Sequence, residues 1–291
     1  MNTIGIHSLV FTPTWSEESV RPVFETAQEI GYDWIECLIM DADDIDTAFS
    51  RRLQEEYGIG VITTMAGNLA ADMGSADLEV VARSERLLHQ CLDHAAAMGS
   101  PFISGPGFSA VNRYTEPPAP AAMDRAIEIY GRVADRARSM GLRVGLEALN
   151  RYESNFVNTL GQAARIVRDA GPDVLFVHAD LFHMRIEEGK FADAVADVAD
   201  VLGYVHIAES HRGALGTGNT DWADFFKALA VARYTGPITF ESFSPAVLGP
   251  DWAGAVALWR DPWDDPAGIA LSAYMQIRDH INNTAREIAD A

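Results

Sequence analysis

The stretch 171-GPDVLFVHADLFHMRIEEGKFADAVADVADVLGYVHIAES-210 decides the fold. DVLFVHAD and GYVHIAE are short runs of β-branched and apolar residues, the pattern of buried strands. Between them a helical pattern runs near Phe191 to Val201. A helix joining two such strands is a right-handed crossover that leaves the strands parallel.

The unit recurs in both directions. Before it, TIGIHSLVF precedes SEESVRPVFETAQEIG, DWIECLIM precedes DIDTAFSRRLQEEYG, and IGVITTMA precedes a helix near Asp77 to Met98. PFISGPG leads to a helix from Asp124 to Met140, and GLRVGLEAL to one from Thr159 to Ala170. After it, GYVHIAE leads to a helix from Asp221 to Arg233, and GPITFES to one near Pro266 to Ala289. About eight β-then-α units close into a single (β/α)8 barrel, expected to span 1–291 with a C-terminal extension from about residue 244. Gly31, Gly58, Gly141, Gly171, Gly203 and Gly236 each fall between a helix and a strand, where a positive φ is wanted. The segment 115-TEPPAPAA-122 reads as a rigid helix entry. Residues 244–265 exceed an ordinary βα loop and carry Trp252, Trp259 and Trp263, so they are expected to cover the site or pack a subunit contact.

Composition narrows the function. At 291 residues and 48% hydrophobic content the chain can bury a large core. It has no apolar run of about 18 residues and opens directly into a strand pattern, so a cytoplasmic protein is expected. Cys37 and Cys91 lack CxxC spacing and read as reduced structural thiols. The formal net charge of −20 repels polyphosphate and argues against nucleic acid and membrane partners. Lysine occurs only at Lys190 and Lys227, both in helical stretches, which removes the interior lysine of a Schiff-base aldolase.

Glu147, Asp180, His206 and Glu241 stand at the ends of RVGLE, VLFVHAD, YVHI and ITFE, strands five to eight. Active sites of such barrels are built at those ends. Three carboxylates and an imidazole, with no cationic partner between them, form a hard donor set for a divalent ion: Mn²⁺ first, Co²⁺ or Mg²⁺ as alternatives. No organic cofactor is expected. A proton α to a carbonyl is too weakly acidic for a carboxylate unless the enolate charge is stabilised, and a metal supplies that stabilisation. His178 shares strand parity with Asp180 and should point inward beneath the centre, as support or core.

The blocks 5-GIHSLVFT-12, 147-EALNRYESN-155, 178-HADLFHMRIEE-188, 204-YVHIAESHRGALGTGNTDW-222 and 238-ITFESFS-244 follow one another in register. The four acidic and imidazole residues lie at intervals of 33, 26 and 35. Over nearly its whole length the chain resembles the sugar isomerase/epimerase TIM barrels related to xylose isomerase, and within them the D-tagatose 3-epimerase and D-allulose 3-epimerase group. The resemblance implies that Glu147 and Glu241 are metal ligands that also face a ketose from opposite sides, exchanging the C3 proton through a cis-enediolate. It also implies that His183, Arg212 and Glu153 bind the O1 and O2 end, and that His7, Phe11, Glu36 and Phe108 wall the sugar. A dimer or tetramer is implied as well. The glycines of 213-GALGTG-218, without a following GK[ST], read as a flexible substrate loop, and the sugar is expected to be neutral.

Leu181, Ala148 and Ala208 stand where the group has threonine, valine and glycine, and GPGFSAVNRY also departs from its pattern. These positions leave the sugar open. One alternative is the catalytic subunit of a 3-oxo-glycoside-acting C-glycoside deglycosidase, working with a partner subunit; another is an aldose–ketose isomerase of the same fold. An AP-site endonuclease would need more histidine ligands and a cationic face, and a silent sugar-binding barrel would have lost a ligand.

Overall fold

Alternation of buried strands with amphipathic helices gives the architecture. The computed structural model describes residues 2–40 and 45–289. Eight strands, β1 (Ile4–His7), β2 (Trp34–Ile39), β3 (Gly60–Met65), β4 (Phe102–Ser104), β5 (Arg143–Glu147), β6 (Leu175–Asp180), β7 (Leu202–Ile207) and β8 (Ile238–Phe240), pair in chain order. All pairings are parallel, and β8 closes on β1 with Ile4 opposite Ile238. The helices α1 (Glu17–Ile30), α2 (Ala48–Tyr57), α3 (Leu78–Met98), α4 (Ala122–Met140), α5 (Leu160–Ala170), α6 (Leu181–Glu187), α7 (Phe191–Asp197), α8 (Trp222–Val231), α9 (Pro245–Ala255) and α10 (Pro266–Ala289) complete it.

Local chemistry sets the helix ends. Ser16 and Ser19 form a capping box on α1, as Thr159 and Gln162 do on α5, satisfying amides that have no intrahelical acceptor. At α1, Gly31 ends the helix at φ 103, open to glycine without a Cβ penalty. The expected positive φ holds also at Gly58 and Gly141, but not at the other three glycines. Gly171 has φ 161, which is extended backbone, and Gly236 has no positive φ. Gly203 lies inside β7, where a Cβ would stand 2.5 Å from Phe176 Cγ. Its role is to make room for that ring.

Phe176, Phe102, Tyr204 and Ile62 fill one end of the barrel as a closed apolar layer. The larger core lies between strands and helices and takes in Cys37 and Cys91, both free thiols. Several boundaries differ from the sequence reading. A short α6 follows β6 at once because Asp180 caps it, and α7 stops at Asp197. The second helix, read from residue 44, begins at Ala48; residue 44 lies outside the described residues. Among the described residues, no helix is long and apolar enough to cross a membrane.

Candidate metal centre

The C-terminal ends of β5 to β8 bring four side chains together. Glu147 ends β5, with its amide bonded to Gly105 O at 3.2 Å. Asp180 ends β6 and spends Oδ1 on the α6 amide of Phe182 at 2.7 Å, which leaves Oδ2 for the centre. His206 pairs with Asp180 across β6 and β7, and Glu241 follows β8 with its amide on Ile207 O at 3.0 Å. Asp180, His206 and Glu241 offer donor atoms all within 4.8 Å of one another; Glu147, Asp180 and His183 form a second such trio, and Glu147, His178 and His206 a third. Shared members link the three, so the four predicted ligands meet in one cluster.

His206 is the most informative member. Its Nε2 lies 2.7 Å from Glu36 Oε2, while Nδ1 has no hydrogen-bond partner among the described residues and sits 3.7 Å from Glu241 Oε1. A buried ring nitrogen left bare beside carboxylates is what a cation would use. The charges agree. Glu36, Glu147, Asp180 and Glu241 are all buried, and Arg212 is the guanidinium set against them. Burying ionised carboxylates is costly unless they are paired, so this excess calls for further positive charge.

The titration shifts carry the same signature. Burial, reinforced by Asp180, Glu241 and Glu36 and opposed by His206, pushes the Glu147 carboxyl well above its usual range. Burial likewise raises Asp180, against His183 and Arg212. Burial works to raise Glu241 too, but Arg212, His206 and His7 outweigh it and hold that carboxyl low. For His206, burial is overcome by Glu36, Glu241 and Glu147, and the ring is pushed up to about 10.

Around the centre, His183 Nδ1 accepts from the Asn150 amide at 3.1 Å, which turns Nε2 toward Glu147 at 3.6 Å and Asp180 at 3.5 Å. Glu153 accepts from Asn150 Nδ2 at 2.9 Å. Arg212 adopts φ 60, a left-handed conformation that costs a non-glycine residue about 1 kcal/mol. That turn sends its guanidinium back over the centre, between Phe182 at 3.8 Å and Phe243 at 4.8 Å from the ring centroids. Buried Glu209 accepts from Ser210 N, Gly216 N and Thr220 Oγ1 and ties down the loop that was read as flexible.

Beside these groups opens a cavity of about 300 Å³, lined by His7, Glu147, Glu153, His183, Arg212 and Glu241, with Leu38, Met40 and Trp252 on an apolar wall. Its dimensions suit a small ligand with convergent polar groups at one end.

Comparison with known proteins then places the chain. Residues 24–263 match the model of the xylose isomerase-like TIM barrels. The chain belongs to that family. Among its relatives, the ketose 3-epimerase of Arthrobacter globiformis is 38% identical over 278 residues, 96% of this chain and 96% of that protein. The L-ribulose 3-epimerase of Methylomonas sp. (strain DH-1) is 38% identical over 275 residues, 94% of this chain and 96% of its own length. The crystal structure of D-allulose 3-epimerase from Methylomonas sp. in complex with D-allulose superposes with a TM-score of 0.92 at 36% identity, covering 96% of this chain and 97% of that one.

In this xylose isomerase-like barrel the sequence-predicted residues divide cleanly. Three of the four ligand positions, Glu147, His206 and Glu241, line the cavity with His7, His183, Arg212 and Glu153, while Asp180 stands behind them in the cluster. Phe108 does not: it is fully buried and packs edge-on against Phe156, ring centroids 5.8 Å apart, in the core. Phe11 also packs against the core and is not part of the cavity wall. Glu36 borders the cavity but bonds His206, Tyr204 and Thr64. His178 lies inward, with Nδ1 3.0 Å from Ser104 Oγ and 3.6 Å from Glu147 Oε2. The expectation of no cation between the ligands is corrected by Arg212, which contacts both Asp180 and Glu241. Leu38 and Thr64, near the ends of β2 and β3, and Met40 and Asn68, in the loops after them, also line the cavity; apolar or neutral side chains there carry no metal-ligand chemistry to mark them in the sequence. Trp252, in the segment expected to cover the site or pack a subunit contact, lines the cavity with Ala255 and Val256.

Proposed function

We propose that this chain is a ketose 3-epimerase that interconverts C3 epimers of free ketoses and depends on a divalent ion, Mn²⁺ first among the candidates. The observation that carries the reading is the placement of Glu147 and Glu241 at the C-terminal ends of non-adjacent strands, both in the wall of one cavity and both in a cluster with Asp180. Family membership and the 3-epimerase activity of its relatives support it.

Glu147, Asp180, His206 and Glu241 would hold the ion. When bound, it supplies Lewis-acid stabilisation of the negative charge that develops on the substrate's oxygens. The carboxylates do the proton work. One removes the C3 proton, and the electron pair of the broken C–H bond moves into the C2–C3 bond to give a cis-enediolate. The other delivers a proton to the opposite face of C3, and the reverse reaction exchanges the roles. In each direction the base is the carboxylate on the face of C3 that carries the proton, and the acid is the one on the opposite face. His183, Arg212 and Glu153 hold the O1 and O2 end as hydrogen-bonding groups. Nothing in the cycle is oxidised or reduced, so no organic cofactor is required. The protein is read as one cytoplasmic catalytic domain that assembles as a homo-oligomer.

Product analysis of the Mn²⁺-loaded protein with D-allulose tests the reading. The expected product is D-fructose, the C3 epimer. An aldose product would make the protein an aldose–ketose isomerase.

A further inference from the structure

Glu36 on β2 and His206 on β7 meet across the barrel interior, both nearly inaccessible to solvent. Glu36 is fixed from several sides. Thr64 Oγ1 donates to Oε1 at 2.6 Å, the Tyr204 hydroxyl donates to Oε2, and that hydroxyl lies 2.7 Å from Thr239 Oγ1. The remaining contact of Oε2 is His206 Nε2, at 2.7 Å.

An ionised carboxylate only accepts hydrogen bonds. A neutral His206 ring therefore carries its proton on Nε2 and presents the lone pair at Nδ1, the nitrogen without a hydrogen-bond partner among the described residues, 3.7 Å from Glu241 Oε1. The nearby hydroxyls of Tyr204 and Thr239 cannot impose this choice, because a hydroxyl both donates and accepts. Glu36 can.

We propose that Glu36 is the positioning residue of the centre, fixing His206 as the Nε2–H tautomer and aiming Nδ1 at the ion. Oriented this way, a carboxylate behind a ligating imidazole also makes the ring a stronger donor. The inference rests on the metal reading above. It adds to the sugar-wall role that the resemblance implies for Glu36, which also borders the cavity.

The test uses chelator-stripped protein titrated with Mn²⁺ by calorimetry. It compares the wild type with Glu36→Gln and with Tyr130→Phe, which removes from α4 a buried hydroxyl that has no hydrogen-bond partner among the described residues and lies outside the cluster. An amide can donate as well as accept, so Glu36→Gln releases the tautomer. The expected result is Mn²⁺ affinity weaker by roughly 10- to 100-fold in Glu36→Gln. Tyr130→Phe should stay close to wild type, with stripped proteins unfolding at similar temperatures. In ¹⁵N-histidine spectra of the Zn²⁺-loaded forms, His206 should be a single Nε2–H tautomer in wild type, and that signature should be lost in Glu36→Gln. Should Glu36→Gln fail to fold, Glu36→Asp, whose carboxylate ends one methylene short of the ring, is expected to show the same loss. Wild-type affinity and tautomer in the folded variant would overturn the role of Glu36 while leaving the metal reading intact. A wild-type protein that takes up no divalent ion would instead overturn the metal reading itself.

Discussion

Arg212 lays its Nη1 against the carboxylate of Glu241 and, at 3.4 Å, against that of Asp180, so one guanidinium serves two of the residues that would hold the ion. Stacking between Phe182 and Phe243 keeps it there. Replacing Arg212 with Ala removes a charged hydrogen-bond donor from the substrate cavity but frees negative charge at the ligands. The expected outcome is a loss of kcat/KM of about 10- to 100-fold, mostly in KM. Mn²⁺ affinity should be unchanged or tighter. Steady-state kinetics and calorimetry on one preparation check both halves, and an unchanged KM would remove Arg212 from the substrate site.

Glu147→Gln and Glu241→Gln each delete one of the two proton carriers while keeping size. Each should lower epimerisation by at least about 10²- to 10⁴-fold, with the barrel folded by circular dichroism. Turnover retained in either variant would sink the two-carboxylate mechanism.

Metal uptake should be pH-dependent. Without an ion, the Glu241, Glu36 and Glu147 carboxylates hold a proton on His206 up to about 10 against the effect of burial, and Glu147 is also raised. A ligand must shed its proton to bind, so protons are released on binding and apparent affinity rises from pH 6 to 8. Calorimetry in two buffers of different ionisation enthalpy counts those protons. The bound ion should also stabilise the fold: at 100 times its Kd it adds about 2.7 kcal/mol. Chelation should then lower the unfolding temperature by roughly 5–10 °C.

The slot around Phe176 offers a test of packing away from the chemistry. A Cβ at Gly203 would stand 2.5 Å from Phe176 Cγ, and the ring is fully buried. Gly203→Ala should destabilise by about 1–3 kcal/mol in urea unfolding, because the closed layer cannot yield room. Stability equal to wild type would show that Phe176 can move aside.

Much of this was legible in the chain. Strand runs ending in Glu147, Asp180, His206 and Glu241 fix both the barrel and its functional rim, because parity and strand direction alone place those ends together. What escaped is non-local. That Arg212 turns back onto its neighbours depends on a left-handed φ and on Glu209 tying the loop. That Glu36 meets His206 depends on which side chains reach across the closed barrel, and that Phe108 packs on Phe156 depends on how two βα loops fold together. Gly203 was read as a turn because glycine between helix and strand signals a turn and a tight approach to a ring equally well.

The most direct measurement of the central claim is deuterium incorporation at C3, followed by NMR, in D-tagatose, D-fructose and D-allulose incubated with Mn²⁺-loaded protein in D₂O, with and without EDTA. The expected result is label at C3 accompanied by the C3 epimer and abolished by EDTA. Label at C1 or C2 with an aldose product, or no exchange in any free ketose, would contradict it; the latter would turn the search to 3-oxo-glycosides and a partner subunit.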